Sequence, residues 1–93
     1  MKYEVVTAKL FRKQYKRVIR RGYSQGEIQG VIEILSVGGV LDSRYKIHRL
    51  KGRWNGVFEL HIQPDLLLLY FYQVDPPILK LAALGTHAEL FGK

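Results

Sequence analysis

The run of seven apolar residues over positions 66–72 constrains the fold of this chain more than any other feature. A half-exposed strand alternates apolar and polar residues, whereas this run is apolar at every position and so presents two apolar faces. A membrane-spanning helix needs roughly 20 apolar residues, so the run is too short to be one. We therefore expect a central β-strand that is covered on both sides. Turns are expected before it at residues 64–65 and after it at residues 75–77, both of which contain Pro and Asp.

Four more strands are predicted, and after residue 43 the pattern changes to period two. In residues 56–62, the side chains of Phe58, Leu60 and Ile62 face one side of the expected strand, while Glu59 and His61 face the other. The remaining strands are expected over residues 2–6, 46–50 and 78–84.

Two amphipathic helices are predicted between the first and the second strand. The first covers roughly residues 8–21, and Thr7 is its expected N-cap. Its apolar face is formed by Phe11, Tyr15, Val18 and Ile19. The second begins at a capping box of Ser24 and Glu27 and continues to about residue 37. Because the link between the two helices is short, we expect an antiparallel helical hairpin.

These elements define an α+β fold with the order β-α-α-β-β-β-β, in which the helical hairpin packs on one face of an antiparallel sheet. Thr86 and Glu89 form a second capping box, which predicts a last helical turn. We expect a single domain over residues 1–93, because a chain this short has no room for a second hydrophobic core. The absence of cysteine excludes disulfides and thiolate metal sites. The first six residues are too few and too polar for a signal peptide, so we expect a soluble, cytoplasmic protein without a membrane anchor.

The charge of the chain is unevenly distributed. Residues 1–53 contain 13 Lys and Arg and 4 acidic residues, giving +9, whereas residues 54–93 contain 2 and 4, giving −2; the sum is the net charge of +7. A basic half on a small protein indicates a polyanionic partner such as nucleic acid. An acidic protein partner or a merely solubilising surface accounts for the same charge, so charge alone does not decide between them.

Three histidines supply candidate acid–base groups. His61 ends one expected strand and Asp65 precedes the next, and antiparallel pairing of the last strand returns His87 to the same edge of the sheet. Cleavage of RNA by its own 2′-hydroxyl needs a base for that proton and an acid for the leaving 5′-oxygen. Imidazole serves in either role, since its reference pKa is about 6.5. Histidines are also common surface residues and Asp65 is an ordinary turn residue, so spacing alone supports a nuclease only weakly. Two histidines and a carboxylate can also bind a metal, although nothing in the spacing favours this.

Three segments of the chain resemble YafQ-like toxins of the RelE superfamily. HRLKGRWNG at residues 48–56 resembles the H-x-L-x-G-x-W-x-G stretch of that group, and HIQPD at residues 61–65 is similar to its H-[IV]-x-P-D stretch. GTHAELFG at residues 85–92 resembles its terminal G-T/S-H-x-x-L-F signature. The three segments occur in the order and spacing of the family, so the resemblance covers essentially the whole chain.

The resemblance implies the toxin of a type II toxin–antitoxin system, a ribosome-dependent endoribonuclease that cuts mRNA with no metal and no cofactor. Its pattern places catalytic roles at His48, His61, Asp65, His87 and Phe91. In our hypothesis, His87 is the general acid, Asp65 or His61 is the base, and His48 supports the phosphate. Phe91 either packs against a base or anchors the terminal segment.

Substrate phosphates are expected to bind at Arg49, Lys51 and Arg53. In one departure from the family pattern, Leu66 follows the motif aspartate where some members carry an aromatic residue, which puts codon preference and rate in doubt.

The implied partners are a cognate antitoxin, mRNA on the ribosome and, only through the antitoxin complex, promoter DNA. The antitoxin would cover the cationic surface with an acidic and apolar segment. Two other readings stay open. The first is a non-catalytic ParE-like toxin that inhibits a protein target; the second is a small basic nucleic-acid-binding protein that depends on helix cations such as Lys13, Lys16 and Arg20.

Overall fold

A computed structural model describes residues 2–92 of the chain. The strands are β1 (Glu4–Thr7), β2 (His48–Arg49), β3 (Phe58–Gln63), β4 (Leu66–Gln73) and β5 (Ile78–Gly85). The α-helices are α1 (Lys9–Arg20), α2 (Gln25–Ser36) and α3 (His87–Phe91), and short 3-10 turns lie at Ser43–Tyr45 and Gly52–Trp54. The α+β class and the order of the elements predicted from the sequence are confirmed.

The five strands form one sheet in the order β1-β5-β4-β3-β2. The pairs β2–β3, β3–β4 and β4–β5 are antiparallel, as predicted, and the two-residue turn at residues 64–65 connects β3 to β4. The pair β1–β5 is parallel, so the expectation of an entirely antiparallel sheet is wrong for the first strand. No hairpin connects β1 to its neighbour, and a long connection leaves the direction of pairing free.

The central strand β4 is buried on both faces. Leu66, Leu68 and Tyr70 belong to the core that the sheet forms with the helices. Leu67 and Leu69 alternate with them, so they point to the opposite face, and they too are buried. On that side α3 lies against β5. The apolar run therefore forms the doubly covered strand that its composition predicts.

The helices α1 and α2 cover one face of the sheet. Their contribution to the core consists of Phe11, Val18, Ile28, Val31 and Leu35. The expected N-cap is wrong by one residue, because Thr7 belongs to β1 and Ala8 precedes the helix without a capping side chain. The carbonyl and hydroxyl oxygens of Thr7 instead accept hydrogen bonds from Arg12 Nη1, at 2.7 and 3.0 Å.

The two predicted capping boxes differ in the structure. At the start of α2, Ser24 Oγ accepts a hydrogen bond from the Glu27 amide at 3.1 Å, but the Glu27 carboxylate accepts one from Gln63 Nε2 instead of closing the box. At α3, both halves of the box between Thr86 and Glu89 are present.

The strand expected over residues 46–50 is reduced to the two residues of β2. Lys46 ends the preceding 3-10 turn in the left-handed conformation, with φ of 49°, which no regular strand accommodates. Among residues 2–92, no helix is long and apolar enough to cross a membrane.

Candidate active site

The register of the sheet brings three of the predicted segments to one edge. His61 in β3 pairs with Leu67 in β4, which pairs in turn with Gly85 in β5. Neighbouring strands are about 4.8 Å apart, so the backbones of His61 and Gly85 are separated by roughly 10 Å. The turn that contains Asp65 and the start of α3 with His87 both follow directly from this level of the sheet.

A buried carboxylate connects two of the histidines. Glu59 lies directly opposite His48 in the β2–β3 ladder and is only 5% exposed. Its Oε1 atom is 3.2 Å from His48 Nε2 and 3.5 Å from His61 Nε2. From the sequence, Glu59 is expected on the same face of the strand as His61 but has no assigned role at the site. The available signal was its place two residues before His61 on the same face of β3.

The other ring nitrogen of each histidine faces a backbone carbonyl. His48 Nδ1 is 3.2 Å from the Lys46 oxygen, and His61 Nδ1 is 3.4 Å from the Pro64 oxygen. Both nitrogens of each ring therefore face oxygen acceptors. These polar contacts at both nitrogens fix the orientation of the two rings around Glu59.

Asp65 is exposed in the β3–β4 turn, but one of its oxygens is engaged. The Tyr23 hydroxyl, from the link between α1 and α2, donates a hydrogen bond to Asp65 Oδ2 at 2.7 Å. This hydrogen bond to the carboxylate, followed by burial, raises the pKa of Tyr23 above its ordinary value. The phenol therefore stays a donor at neutral pH, and Asp65 Oδ1 is the oxygen that Tyr23 does not occupy.

The aromatic ring of Phe91 connects α3 to the segment after β2. Its centroid is 4.9 Å from that of His87 and 6.1 Å from that of Trp54, with an edge-on geometry to the indole. Phe91 thus contacts both the candidate acid and the 3-10 turn at Gly52–Trp54. It therefore anchors α3 to that turn.

The carboxylate of Glu89 holds α3 at its other side. It accepts hydrogen bonds from the Arg21 guanidinium and from the Thr86 amide, and Arg17 Nη1 lies 3.6 Å from Oε2. The bonds from Arg21, then that from the Thr86 amide, lower the pKa of Glu89 to about 2. Glu89 is therefore a fixed negative charge at physiological pH.

The three predicted phosphate-binding residues are not equivalent in the structure. Arg49 pairs with Phe58 in the ladder and its guanidinium lies 5.7 Å from the centre of that ring, on the opposite face from His48. The structure thus does not bring Arg49 to the histidines. Lys51 and Arg53 are exposed at the 3-10 turn that also carries Trp54.

The long helix α1 adds a second cationic surface. Its exposed cations are Lys9, Arg12, Lys13, Lys16, Arg17, Arg20 and, at the C-cap, Arg21. Between residues 2 and 92, no group of three or more histidine, cysteine, aspartate or glutamate side chains is arranged to hold a metal ion.

A mixed five-stranded sheet, a helical hairpin whose first helix is basic and two histidines joined by a buried glutamate are consistent with an α+β toxin of the RelE type. A family model described as "Bacterial toxin of type II toxin-antitoxin system, YafQ" matches residues 3–92. The chain belongs to this family, which confirms the resemblance seen in its three motifs.

Individual relatives agree with this assignment. The mRNA interferase toxin YafQ of Escherichia coli K12 is 40% identical over 52 residues, which cover 56% of this chain and 54% of that protein. The alignment therefore spans about half the length of the curated relative. A metal-bound toxin from Helicobacter pylori superposes with a TM-score of 0.89 at 35% identity, over 98% of this chain and 100% of that one. The E. coli DinJ–YafQ toxin–antitoxin complex contains a chain with a TM-score of 0.87 at 27% identity, over 99% and 100%.

Proposed function

We propose that this chain is an mRNA-cleaving toxin that uses the 2′-hydroxyl of its substrate as the nucleophile. One observation carries the proposal: His48 and His61 share the buried carboxylate of Glu59 at the edge of the sheet from which the Asp65 turn and α3 with His87 both emerge. Membership of the YafQ family and the names of its curated members, which are mRNA interferases, support the same reaction class.

The proposed reaction is an in-line transesterification. A base removes the proton of the 2′-OH, the 2′-oxygen attacks the adjacent phosphorus, and the bond to the 5′-oxygen breaks. A general acid protonates that oxygen, so the products are a 2′,3′-cyclic phosphate and a 5′-hydroxyl. Because the nucleophile belongs to the substrate, no metal-bound water is needed.

Of the two candidate bases, the geometry favours Asp65. Both nitrogens of His61 already face oxygen atoms of the protein, which suits a ring that is held in place beside the phosphate rather than a base. His48, held in the same way, would have the same role. Asp65 has one oxygen bound by Tyr23 and can accept a proton on the other. His87 remains the proposed general acid.

Cleavage of mRNA on programmed ribosomes, beside the same RNA without ribosomes and with and without EDTA, tests this proposal. We expect EDTA-resistant cuts that end in 2′,3′-cyclic phosphate and that disappear in His87→Gln. Glu33→Gln, on the exposed face of α2, is the control and should cut like the wild type. No cutting by the folded wild type under any condition would reject the nuclease and favour the ParE-like reading. Because EDTA also removes the Mg²⁺ that ribosomes require, its effect is read on the RNA without ribosomes, where cuts that EDTA abolishes would reject the metal-free reaction.

We further propose an acidic antitoxin as the regulatory partner. The exposed cations of α1 present a surface of one sign to such a partner, and the related E. coli toxin is seen in complex with DinJ. Promoter DNA would then be contacted chiefly by the antitoxin, and action on mRNA would place the protein in the cytoplasm. Co-purification with the protein expressed from the neighbouring reading frame, and inhibition of cleavage by it, test this part.

A further inference from the structure

The link between α1 and α2 contacts both candidate proton-transfer segments. We call residues 21–23 the α1–α2 corner. Its backbone is fixed to α1, since the amides of Arg21 and Gly22 donate to carbonyl oxygens of the last turn, Arg21 to Arg17 at 3.1 Å and Gly22 to Ile19 at 3.0 Å. Gly22 has φ of +95°, a conformation that glycine adopts without strain, and it reverses the chain there. The corner is therefore part of the rigid helical layer.

Arg21 extends from this corner to α3. Its two terminal nitrogens bind the two oxygens of Glu89, one pair at 3.0 Å, in the bidentate geometry that fixes the orientation of both groups. The same carboxylate accepts the Thr86 amide at 2.9 Å and so also caps α3. The side chain of Glu89 is 23% exposed, so solvent only partly screens the pair.

Tyr23 extends from the same corner to the β3–β4 turn through its 2.7 Å hydrogen bond to Asp65. Each of the two segments that the corner contacts would be poorly ordered without support from the rest of the protein. Asp65 is at the tip of a two-residue turn, and α3 has five residues, far fewer than an isolated helix needs in water.

We propose that Arg21 and Tyr23 are positioning residues that fix Asp65 and His87 relative to each other from one rigid corner. The effect on catalysis rests on the proposed function, whereas the effect on the order of α3 does not. Acid–base catalysis needs both groups within a fraction of an ångström of the reacting atoms, and an error of 1 Å costs up to about 100-fold in rate. A corner that holds both segments removes their independent motion.

Three variants separate positioning from folding. Tyr23→Phe removes only the hydroxyl that binds Asp65. Glu89→Gln keeps an oxygen that can cap α3 but removes the charge that binds Arg21. Arg21→Gln removes the positive charge of the pair with Glu89. Arg21→Lys keeps that charge but removes the two parallel N–H donors that bind both carboxylate oxygens.

We expect Tyr23→Phe, Glu89→Gln and Arg21→Gln each to lower kcat about 10- to 100-fold, with KM changed less than about threefold. Arg21→Lys should recover part of the loss. Tyr15→Phe is the matched control, because it removes a phenol hydroxyl that bonds Gln29 within the helical layer, away from the site. Affinity for an RNA with a 2′-deoxy nucleotide at the cut should stay within twofold of the wild type in every variant.

Amide hydrogen exchange supplies a readout that does not depend on cleavage. The Leu90 amide, which donates to the Thr86 oxygen at 3.0 Å, should exchange at least tenfold faster in Arg21→Gln and at the wild-type rate in Tyr15→Phe. Unchanged exchange at Leu90 in Arg21→Gln would overturn the proposal even if the wild type cleaves no RNA. Equal loss of kcat in Tyr23→Phe and Tyr15→Phe would overturn it also. A wild type that cleaves nothing would reject the nuclease function and not the positioning of α3.

Discussion

Leu68 and Leu69 are adjacent in β4 and both have 0% exposure, yet their side chains lie on opposite faces of the sheet. Leu68 packs in the core under the helices, whereas Leu69 pairs with Glu59 on one side and with Ala83 on the other. Leu→Ala at a fully buried site costs about 3–5 kcal/mol. Small proteins are stable by about 0.05–0.15 kcal/mol per residue, which gives about 5–14 kcal/mol here, so a loss of about 3 kcal/mol leaves each variant folded. A loss of about 3 kcal/mol should lower Tm by about 12–24 °C.

The two variants should be alike in stability and unlike in activity. A cavity at Leu69 lies beside Glu59 and frees the carboxylate that holds the two histidines, so cleavage by Leu69→Ala should fall about tenfold below that by Leu68→Ala. Urea denaturation measures the stability of each variant, and cleavage is then compared well below both melting temperatures. A cost under about 1 kcal/mol for Leu69→Ala would refute the burial of the second face. Equal losses of cleavage in the two variants would refute the link between that face and the histidines.

Other predictions concern titration and close packing. Burial raises the pKa of Tyr70 to about 12. The contribution of the neutral phenol to stability is therefore present below pH about 10 and is lost as pH rises toward 12. Over this range the free energy of unfolding should fall less steeply in Tyr70→Phe than in the wild type. Arg21 lowers the pKa of Glu89 from 4.5 to about 2. The contribution of the ionised carboxylate to stability is therefore present above pH 4.5 and is lost as pH falls to about 2. In an acid titration, the free energy of unfolding of Glu89→Gln should fall less steeply than that of the wild type. In Gly85→Ala the new methyl would lie 3.0 Å from Glu89 Oε1, so the carboxylate that binds Arg21 must shift by a few tenths of an ångström and cleavage should fall. Gly30→Ala, in open space, should stabilise the protein by about 0.5–1 kcal/mol.

The parts of the fold that depend on local pattern were predictable. The apolar run of β4 required cover on both faces, and the second capping box marked the start of α3. The start of α1 was misplaced by one residue because Thr7 is a favoured N-cap type, whereas in the structure it belongs to β1 and its oxygens bind Arg12. Likewise, the sequence pattern of β1 specifies a strand but contains no information on its direction relative to β5.

The candidate site was predictable only along the strands. Alternation and hairpin pairing are sufficient to place His61 and the Asp65 turn at one edge of the sheet. The contacts of Tyr23 with Asp65 and of Arg21 with Glu89 join residues 42 and 68 positions apart. Such pairs depend on how the helical layer is rotated on the sheet, which no local pattern in a single sequence specifies.

During translation β1 leaves the ribosome well before β5, its neighbour in the sheet, because α1, α2 and three strands are made between them. At about 5–20 residues per second, the interval between the two strands is several seconds. Until residues 78–92 have emerged, the nascent chain has neither the strand that pairs with β1 nor the helix that carries His87. A chain interrupted by a premature stop or a stalled ribosome would thus be inert. The proposed activity would thus arise only after β5 and α3 are made, with those seconds available for an inhibitor to be in place.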